Sequence, residues 1–317
     1  MPRQLTRRAV LGTAAAAALG ACTPLGGRAA VAPTAQPSSI VGTANGPVAV
    51  AAAPLRVVVL DTAELDSVMT LGITPVGASR PAADRTLPGY WPASRLAAVA
   101  GTGAVADPDF ALVRALRPEL ILSSRVRDAA RYEALREIAP TVLSETTGSP
   151  WKANFQLHAQ ALGRLTEAAA IVTAYRGQVA QVSRALGGPG GTSAKHVSLV
   201  RFVPGGRIRL YGRQNFPGTL LADLQLGRPA AQNVDQFDVE ITLDQLAGAD
   251  GDVLLYATYG DPAAAGTTAA LASPGWRALS AVRAHRAFPV DDQLWFEGIG
   301  YTGAELVLAQ LQCLLGS

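Results

Sequence analysis

Residues 151–186, "WKANFQLHAQALGRLTEAAAIVTAYRGQVAQVSRAL", read as helix from end to end, with no strand signal. At about 1.5 Å per residue, a continuous helix of this length would run about 54 Å, enough to cross from one lobe of a protein to another. Gly163 marks the point where it can break into two pieces, and the Gly/Pro/Ser stretch "GGPGGTSA" (187–194) ends it. Before the helix, strand and helix signals alternate. "LRVVVL" (55–60) is a continuous β-branched run of the kind found in parallel sheets buried on both faces. A helix around Ala63–Leu71 and a short strand at Pro75–Ala78 follow it. Asp107-Pro108 then reads as an N-cap with proline at the first helical position, opening "PDFALVRAL". The strand "ELILSS" (119–124), the helix "RDAARYEALREIA" and the strand "TVLSE" (141–145) complete the pattern.

After the helix the alternation restarts. "HVSLVRFV" reads as a strand with a hairpin at Pro204-Gly205-Gly206. Helical "PGTLLADL" and "TLDQLAG", the strand "DVLLYAT" (252–258) and a last helix "TGAELVLAQLQCLL" (302–315) come next. The expected fold is therefore α/β, two Rossmann-like lobes joined by a long helix. An N-terminal lobe spans 54–150, the linking helix 151–187 and a C-terminal lobe 188–317.

The N-terminus reads as an address. "TRRAVLGTAAAAALGAC" has paired arginines, a short uncharged run and a terminal Cys22, so residues 1–21 are expected to be an export signal, too short for a membrane span. Thr6 to Leu11 is similar to a twin-arginine signal, and Leu19-Gly20-Ala21-Cys22 resembles a lipobox, which implies cleavage before Cys22 and lipidation of its thiol. Two acyl chains suffice for stable anchoring. Residues 22–53, rich in Ala, Pro, Thr, Ser and Gly, are expected to form a disordered tether with a reach of about 30 Å.

Composition narrows the function. Formal net charge is +3; without Arg3, Arg7 and Arg8 the Lys+Arg count falls from 27 to 24, equal to the 24 carboxylates. No basic stripe is present, so nucleic acid is not an expected partner. The histidines His158, His196 and His285 are scattered, and no bare-metal site is expected. "GTGAVA" (101–106) satisfies a dinucleotide-loop pattern, but Pro108 opens the helix too late for its glycines to present the N-terminus to a phosphate. With no G-x-S-x-G and no phosphate loop, no catalytic residues are expected. Cys313, in "LVLAQLQCLL", reads as a small buried hydrophobe.

One residue stands out in the second lobe. Arg201 lies inside the apolar strand "VSLVRFV", and a buried guanidinium needs a carboxylate partner or a cavity to face. Asp223 and Glu240 are candidate partners.

"LRVVVLDTAELDSVMTLGITPVGAS", "PDFALVRALRPELILSS", "FQLHAQALGRLTEAAAIVTAYRGQV", "VSLVRFVPGGRIRLYG" and "LWFEGIGYTGAELVLAQL", in this order and spacing, resemble the helix-linked (class III) substrate-binding proteins of ATP-driven iron-siderophore importers. The resemblance covers residues 54–317. It implies a ferric siderophore, of hydroxamate type, held between the lobes and presented to an ABC permease by a monomeric lipoprotein outside the cytoplasmic membrane. Iron enters only within the chelate, and no cofactor is implied. It places Arg201 at the chelating oxygens, with Phe202, Tyr211, Trp295 and Phe296 as an apolar wall. The loop "SRPAADRTLPGYWPASR" (79–95) would bring Arg80, Arg85, Tyr90 and Trp91 over the first lobe's strand ends. Trp151 and Tyr259 are further candidates. The family docks through one acid on each lobe; Asp244 matches in the second, whereas the first-lobe position is Ala111, with Asp109 the nearest acid. Two alternatives stand beside this reading. One is haem, with Tyr90, Tyr211 or Tyr301 as axial ligand; the other is an envelope lipoprotein that keeps the fold as an interaction scaffold.

Overall fold

A computed structural model of the chain describes residues 38–316 except 82, 84 and 85. The export signal, Cys22 and Arg85 lie outside the described residues.

The assumed tether is ordered at its end. Ser38–Thr43 (β1) and Gly46–Ala51 (β2) form an antiparallel hairpin with Val41 and Val50 buried. Asn45-Gly46 supplies the turn: Gly46 has φ +97, Thr43 Oγ1 donates to the Gly46 carbonyl at 2.7 Å and accepts from Asn45 N at 3.1 Å. Ala44 N donates to the Leu143 carbonyl at 3.0 Å, which ties the hairpin to the first lobe.

The first lobe's sheet contains Val57–Val59 (β3), Gly77–Arg80 (β4), Ala100–Ala104 (β5), Asp107–Pro108 (β6), Leu120–Ser124 (β7) and Thr141–Ser144 (β8). Their spatial order is β6-β5-β4-β3-β7-β8, parallel except for β6. Asp107-Pro108 is thus a strand rather than a helix start. The helix runs Phe110–Ala115, and Asp109 caps it, accepting from Ala111 N at 2.9 Å and Leu112 N at 3.1 Å. The reason is local: Asp109 N is already bonded to the Thr102 carbonyl, which keeps residue 109 extended, as an N-cap must be.

The long helical stretch is two helices, Trp151–Ala161 and Leu165–Ala185. Gly163 has φ +66, and a Cβ there would lie 2.1 Å from the Ala52 carbonyl oxygen, so the break admits only glycine without strain. The second helix rises about 31 Å and packs along the last helix, Tyr301–Gly316. Cys313 sits on the exposed side of that last helix, not in the core.

The second sheet contains Val197–Val203 (β9), Arg207–Tyr211 (β10), Asp238–Ile241 (β11), Val253–Thr258 (β12) and Ala287–Pro289 (β13), in the order β11-β10-β9-β12-β13. β9, β12 and β13 run parallel, while the β9–β10–β11 half is antiparallel. Leu243–Ala249 is a 3₁₀ run opened by a capping box from Thr242 to Gln245. Buried Trp151 joins the linker to the second lobe: its indole donates to Thr219 Oγ1 at 2.8 Å, and its ring meets Phe216 and Tyr301 edge-on.

Candidate functional site

The β9–β10 hairpin carries the site because of its register. Arg201 pairs directly with Arg209, and side chains of opposed residues share one face of the sheet. Period-2 alternation then puts Val203, Arg207, Arg209 and Tyr211 on the Arg201 face and Phe202 on the other. That face forms one wall of a cavity of about 570 Å³ between the lobes. Phe216, Phe237, Tyr259, Phe296 and Glu297 extend the wall; Asp61, Thr62, Val105 and Arg127 face it from the first lobe.

Arg201 has carboxylate partners as well as a cavity to face. Its Nε donates to Asp292 Oδ1 at 2.7 Å and its Nη2 to Asp292 Oδ2 at 2.5 Å, with Glu297 Oε1 at 3.3 Å. Nη1 donates to the Tyr211 hydroxyl at 3.3 Å. The rings of Tyr259 and Phe296 lie 4.6 and 5.0 Å from the guanidinium carbon. Burial opposes the charge, yet the bonds to Asp292 and Tyr211 outweigh it and hold the Arg201 pKa above its usual value. The candidate partners from sequence are engaged elsewhere. Asp223 holds Lys152 and Tyr175, and Glu240 meets Arg207 at 3.2 Å.

On the first lobe, Asp61 caps the Thr62–Thr70 helix and accepts from Arg127 Nε at 2.8 Å. Asp61 is buried, and the ion pair fixes the Arg127 stem at the cavity edge. The chemistry of the cavity is therefore four guanidinium groups over an aromatic surface, with two of the four held by buried or half-buried carboxylates. Such a lining recognises oxygen-rich anions or chelates.

Of the residues singled out from sequence, Arg201, Tyr211, Tyr259 and Phe296 line the cavity together. Phe202 does not: it packs on the opposite face of the sheet against Tyr256 and Trp276. Trp295 is fully buried and its indole donates to Gln310 Oε1 at 2.6 Å, anchoring the last helix. The cause is the single π-turn Gln293–Glu297, whose extra residue turns Trp295 inward and leaves Phe296 and Glu297 at the cavity. Trp91 is buried beneath Arg95 and Tyr90 donates to Asp66 Oδ2 at 3.0 Å; neither lines the cavity, and neither does Arg80. The reason is an interlobe seam. Gly89 N donates to Gln293 Oε1 at 3.0 Å, so the 89–91 segment is used to join the lobes rather than to cover the cleft.

Arg127, Arg207, Arg209 and Phe237 were not anticipated. For Arg207 and Arg209 the signal was present: "RIRLY" places charge and aromatic at alternate positions after the Gly-Gly turn, on the Arg201 face. Asp109 and Asp244 are both exposed, the first as a helix cap and the second accepting from Thr242 Oγ1 at 2.6 Å. Tyr301 packs against Trp151, Phe155 and Tyr175, so of the three tyrosines considered for haem only Tyr211 reaches the cavity. Among the described residues no group of three or more His, Cys, Asp or Glu side chains could hold a metal ion.

Comparison with known proteins gives the same architecture. A family model described as periplasmic binding protein matches residues 57–294. The Bacillus subtilis "Probable siderophore-binding lipoprotein YfiY" is 31% identical over 271 residues, 82% of this chain and 82% of its own length. The Escherichia coli Fe(3+) dicitrate-binding periplasmic protein FecB is 27% identical over 260 residues, 81% of this chain and 83% of that one. Among solved structures, Staphylococcus aureus SirA complexed with staphyloferrin B superposes with a TM-score of 0.78 at 24% identity, covering 87% of this chain and 98% of SirA. With two α/β lobes, a helical link and a cleft between them, this chain belongs to the periplasmic binding protein family.

Proposed function

We propose that the protein is a lipid-anchored receptor outside the cytoplasmic membrane that binds a ferric siderophore in the interlobe cleft and delivers it to an ABC importer. The observation that carries this is the cavity itself: about 570 Å³, walled by both lobes, with arginines from each side over Tyr211, Phe237 and Phe296. That combination suits a bulky oxygen-coordinated chelate, with donors for its oxygens and rings for its backbone. The names of the relatives, siderophore-binding lipoprotein and ferric dicitrate-binding protein, support the same reading. Cys22 after Leu-Gly-Ala supports the anchor, and exposed Asp244 supports docking on the second lobe. No helix among the described residues is long and apolar enough to cross a membrane.

The resemblance implies a hydroxamate-type chelate, with Arg201 offering its donors to the chelating oxygens. With Asp292 taking two of those donors, Arg201 favours no particular chelate type.

Equilibrium dialysis of the purified protein against iron-labelled chelates of several classes tests the receptor reading. Saturable one-to-one binding in the sub-micromolar range is expected for at least one class. If none binds, the scaffold alternative replaces the receptor. Membrane fractionation tests the anchor: Cys22→Ser should move the protein to the soluble fraction, and retention on membranes would refute lipidation.

A further inference from the structure

The four cavity arginines are not equivalent. Arg201 and Arg127 have short contacts to carboxylates of their own, half-buried Asp292 and buried Asp61. Arg207 and Arg209 are held loosely, and their partners come from β11, at the edge of the sheet. Glu240 serves both, at 3.2 Å from Arg207 and 4.0 Å from Arg209; Asp238 lies 3.3 Å from Arg209. The buried Nε of Arg209 makes these ion-pair contacts but no hydrogen bond among the described residues. A guanidinium desolvated at Nε without a hydrogen bond is an incomplete arrangement, because charge-assisted bonds are the ones worth making.

The register adds a second argument. Arg201 and Arg209 are direct cross-strand partners, and like charges so opposed destabilise a sheet. Arg207, two residues from Arg209, adds a third guanidinium to the same face. In the fold, Glu240 directly opposite Arg209 on β11 supplies the counter-charge that offsets this repulsion. Closing the cleft on an uncharged guest would strip water from Arg207 and Arg209 and supply no counter-charge.

We propose that the cleft takes a ferric chelate of net negative charge, whose peripheral carboxylates displace Asp238 and Glu240 from Arg209 and Arg207. The inference rests on the receptor reading. In it, β11 acts as a placeholder: its two carboxylates keep the arginines paired while the cleft is empty, and a ligand carboxylate, free to approach the guanidinium in the plane of its fork, makes the two-point contact that Glu240 does not make with either arginine. Phe237, exposed at the head of β11 and 5.5 Å from Tyr211, offers the ligand an aromatic face beside the exchange site.

The test titrates the purified protein with ferric dicitrate (anionic, with free carboxylates), a ferric triscatecholate (anionic, without carboxylates) and an uncharged ferric trihydroxamate. Ferric dicitrate should bind most tightly, and raising NaCl from about 50 to about 500 mM should weaken it at least several-fold, as expected for screened ion pairs. Arg209→Gln should weaken it at least tenfold. Asp238→Asn and Glu240→Gln should tighten it several-fold, a gain that misfolding cannot imitate. Tighter binding of the trihydroxamate would overturn the inference and leave the receptor reading standing. Tighter binding of the triscatecholate, or loss of affinity in both β11 variants, would overturn the carboxylate exchange. If none of the three binds, the receptor reading itself is lost.

Discussion

Removing the Asp292 carboxylate isolates the interaction that holds Arg201. The side chains are 11% and 14% exposed, so the pair is largely desolvated and the discount applied to surface ion pairs is small. Deleting one partner of a buried pair costs about 3–5 kcal/mol, because the other charge is left uncompensated. In Asp292→Ala, Arg201 would keep Glu297 Oε1 at 3.3 Å and the Tyr211 hydroxyl, which places the effect at the lower end, about 3 kcal/mol. With a urea slope of about 3 kcal/mol/M, the unfolding midpoint should fall by about 1 M. Arg201→Met combined with Asp292→Leu removes both charges but also takes the Arg201 partner from Glu297, so it should recover only part of the loss. Equilibrium urea unfolding of the ligand-free protein at pH 7 compares the unmodified protein with both variants. A midpoint shift under about 0.3 M for Asp292→Ala would mean that Arg201 is not held by Asp292, and the division between fixed and exchangeable arginines would fail.

Two further outcomes follow from buried groups outside the cleft. Glu64 is fully buried with no hydrogen bond to its carboxylate, and burial followed by the charge of Asp61 pushes its pKa up to about 8. The folded protein then binds the Glu64 proton more tightly than the unfolded chain, so this contribution is present below pH 4.5 and is lost as pH rises through about 8. Buried His158, whose Nε2 lies 3.9 Å from Glu64 Oε1, is lowered to about 4 by desolvation and acts in the opposite direction below pH 6.5. Stability should therefore drop as pH rises from 6.5 to 8, and Glu64→Gln should flatten that slope; an unchanged slope in urea melts across this range would refute the assignment. Phe202→Ala should destabilise by about 3–5 kcal/mol, as expected for a buried aromatic, while chelate affinity in the surviving folded fraction stays within about twofold. A larger affinity loss in dialysis would return Phe202 to the ligand site.

The architecture was legible because it depends on long-range pattern. Residues 151–186 have no strand character over 36 positions, and the break at Gly163 falls where the Ala52 carbonyl leaves no room for a Cβ. The hairpin at 38–51 was hidden by composition: Ala, Pro, Ser and Thr read as tether, although Asn45-Gly46 between alternating runs is a strong local turn signal. Site residues were legible only where the backbone repeats regularly. Arg201 and Tyr211 follow from strand alternation, and the same alternation excludes Phe202, its neighbour. Trp295 and Phe296 could not be told apart, because a π-turn shifts the helical register by one residue and nothing in "DDQLWFEG" announces it. Tyr90 and Trp91 sit in a loop with every mark of a binding loop, yet contacts with Asp66, Arg95 and Gln293 draw it into the seam between lobes. Of those partners, Asp66 and Gln293 are far away in sequence, beyond the reach of any local pattern.

The most direct test of the central claim is a crystal of the protein grown with the ferric chelate that it binds, with the iron located by anomalous scattering. One iron should appear in the interlobe cleft, flanked by Arg127 from the first lobe and by Arg207, Arg209 and Tyr211 from the second. Iron seated elsewhere, for instance in the groove of about 470 Å³ between Lys152 and Tyr175 on the linking helices and Asp223 of the second lobe, would contradict it.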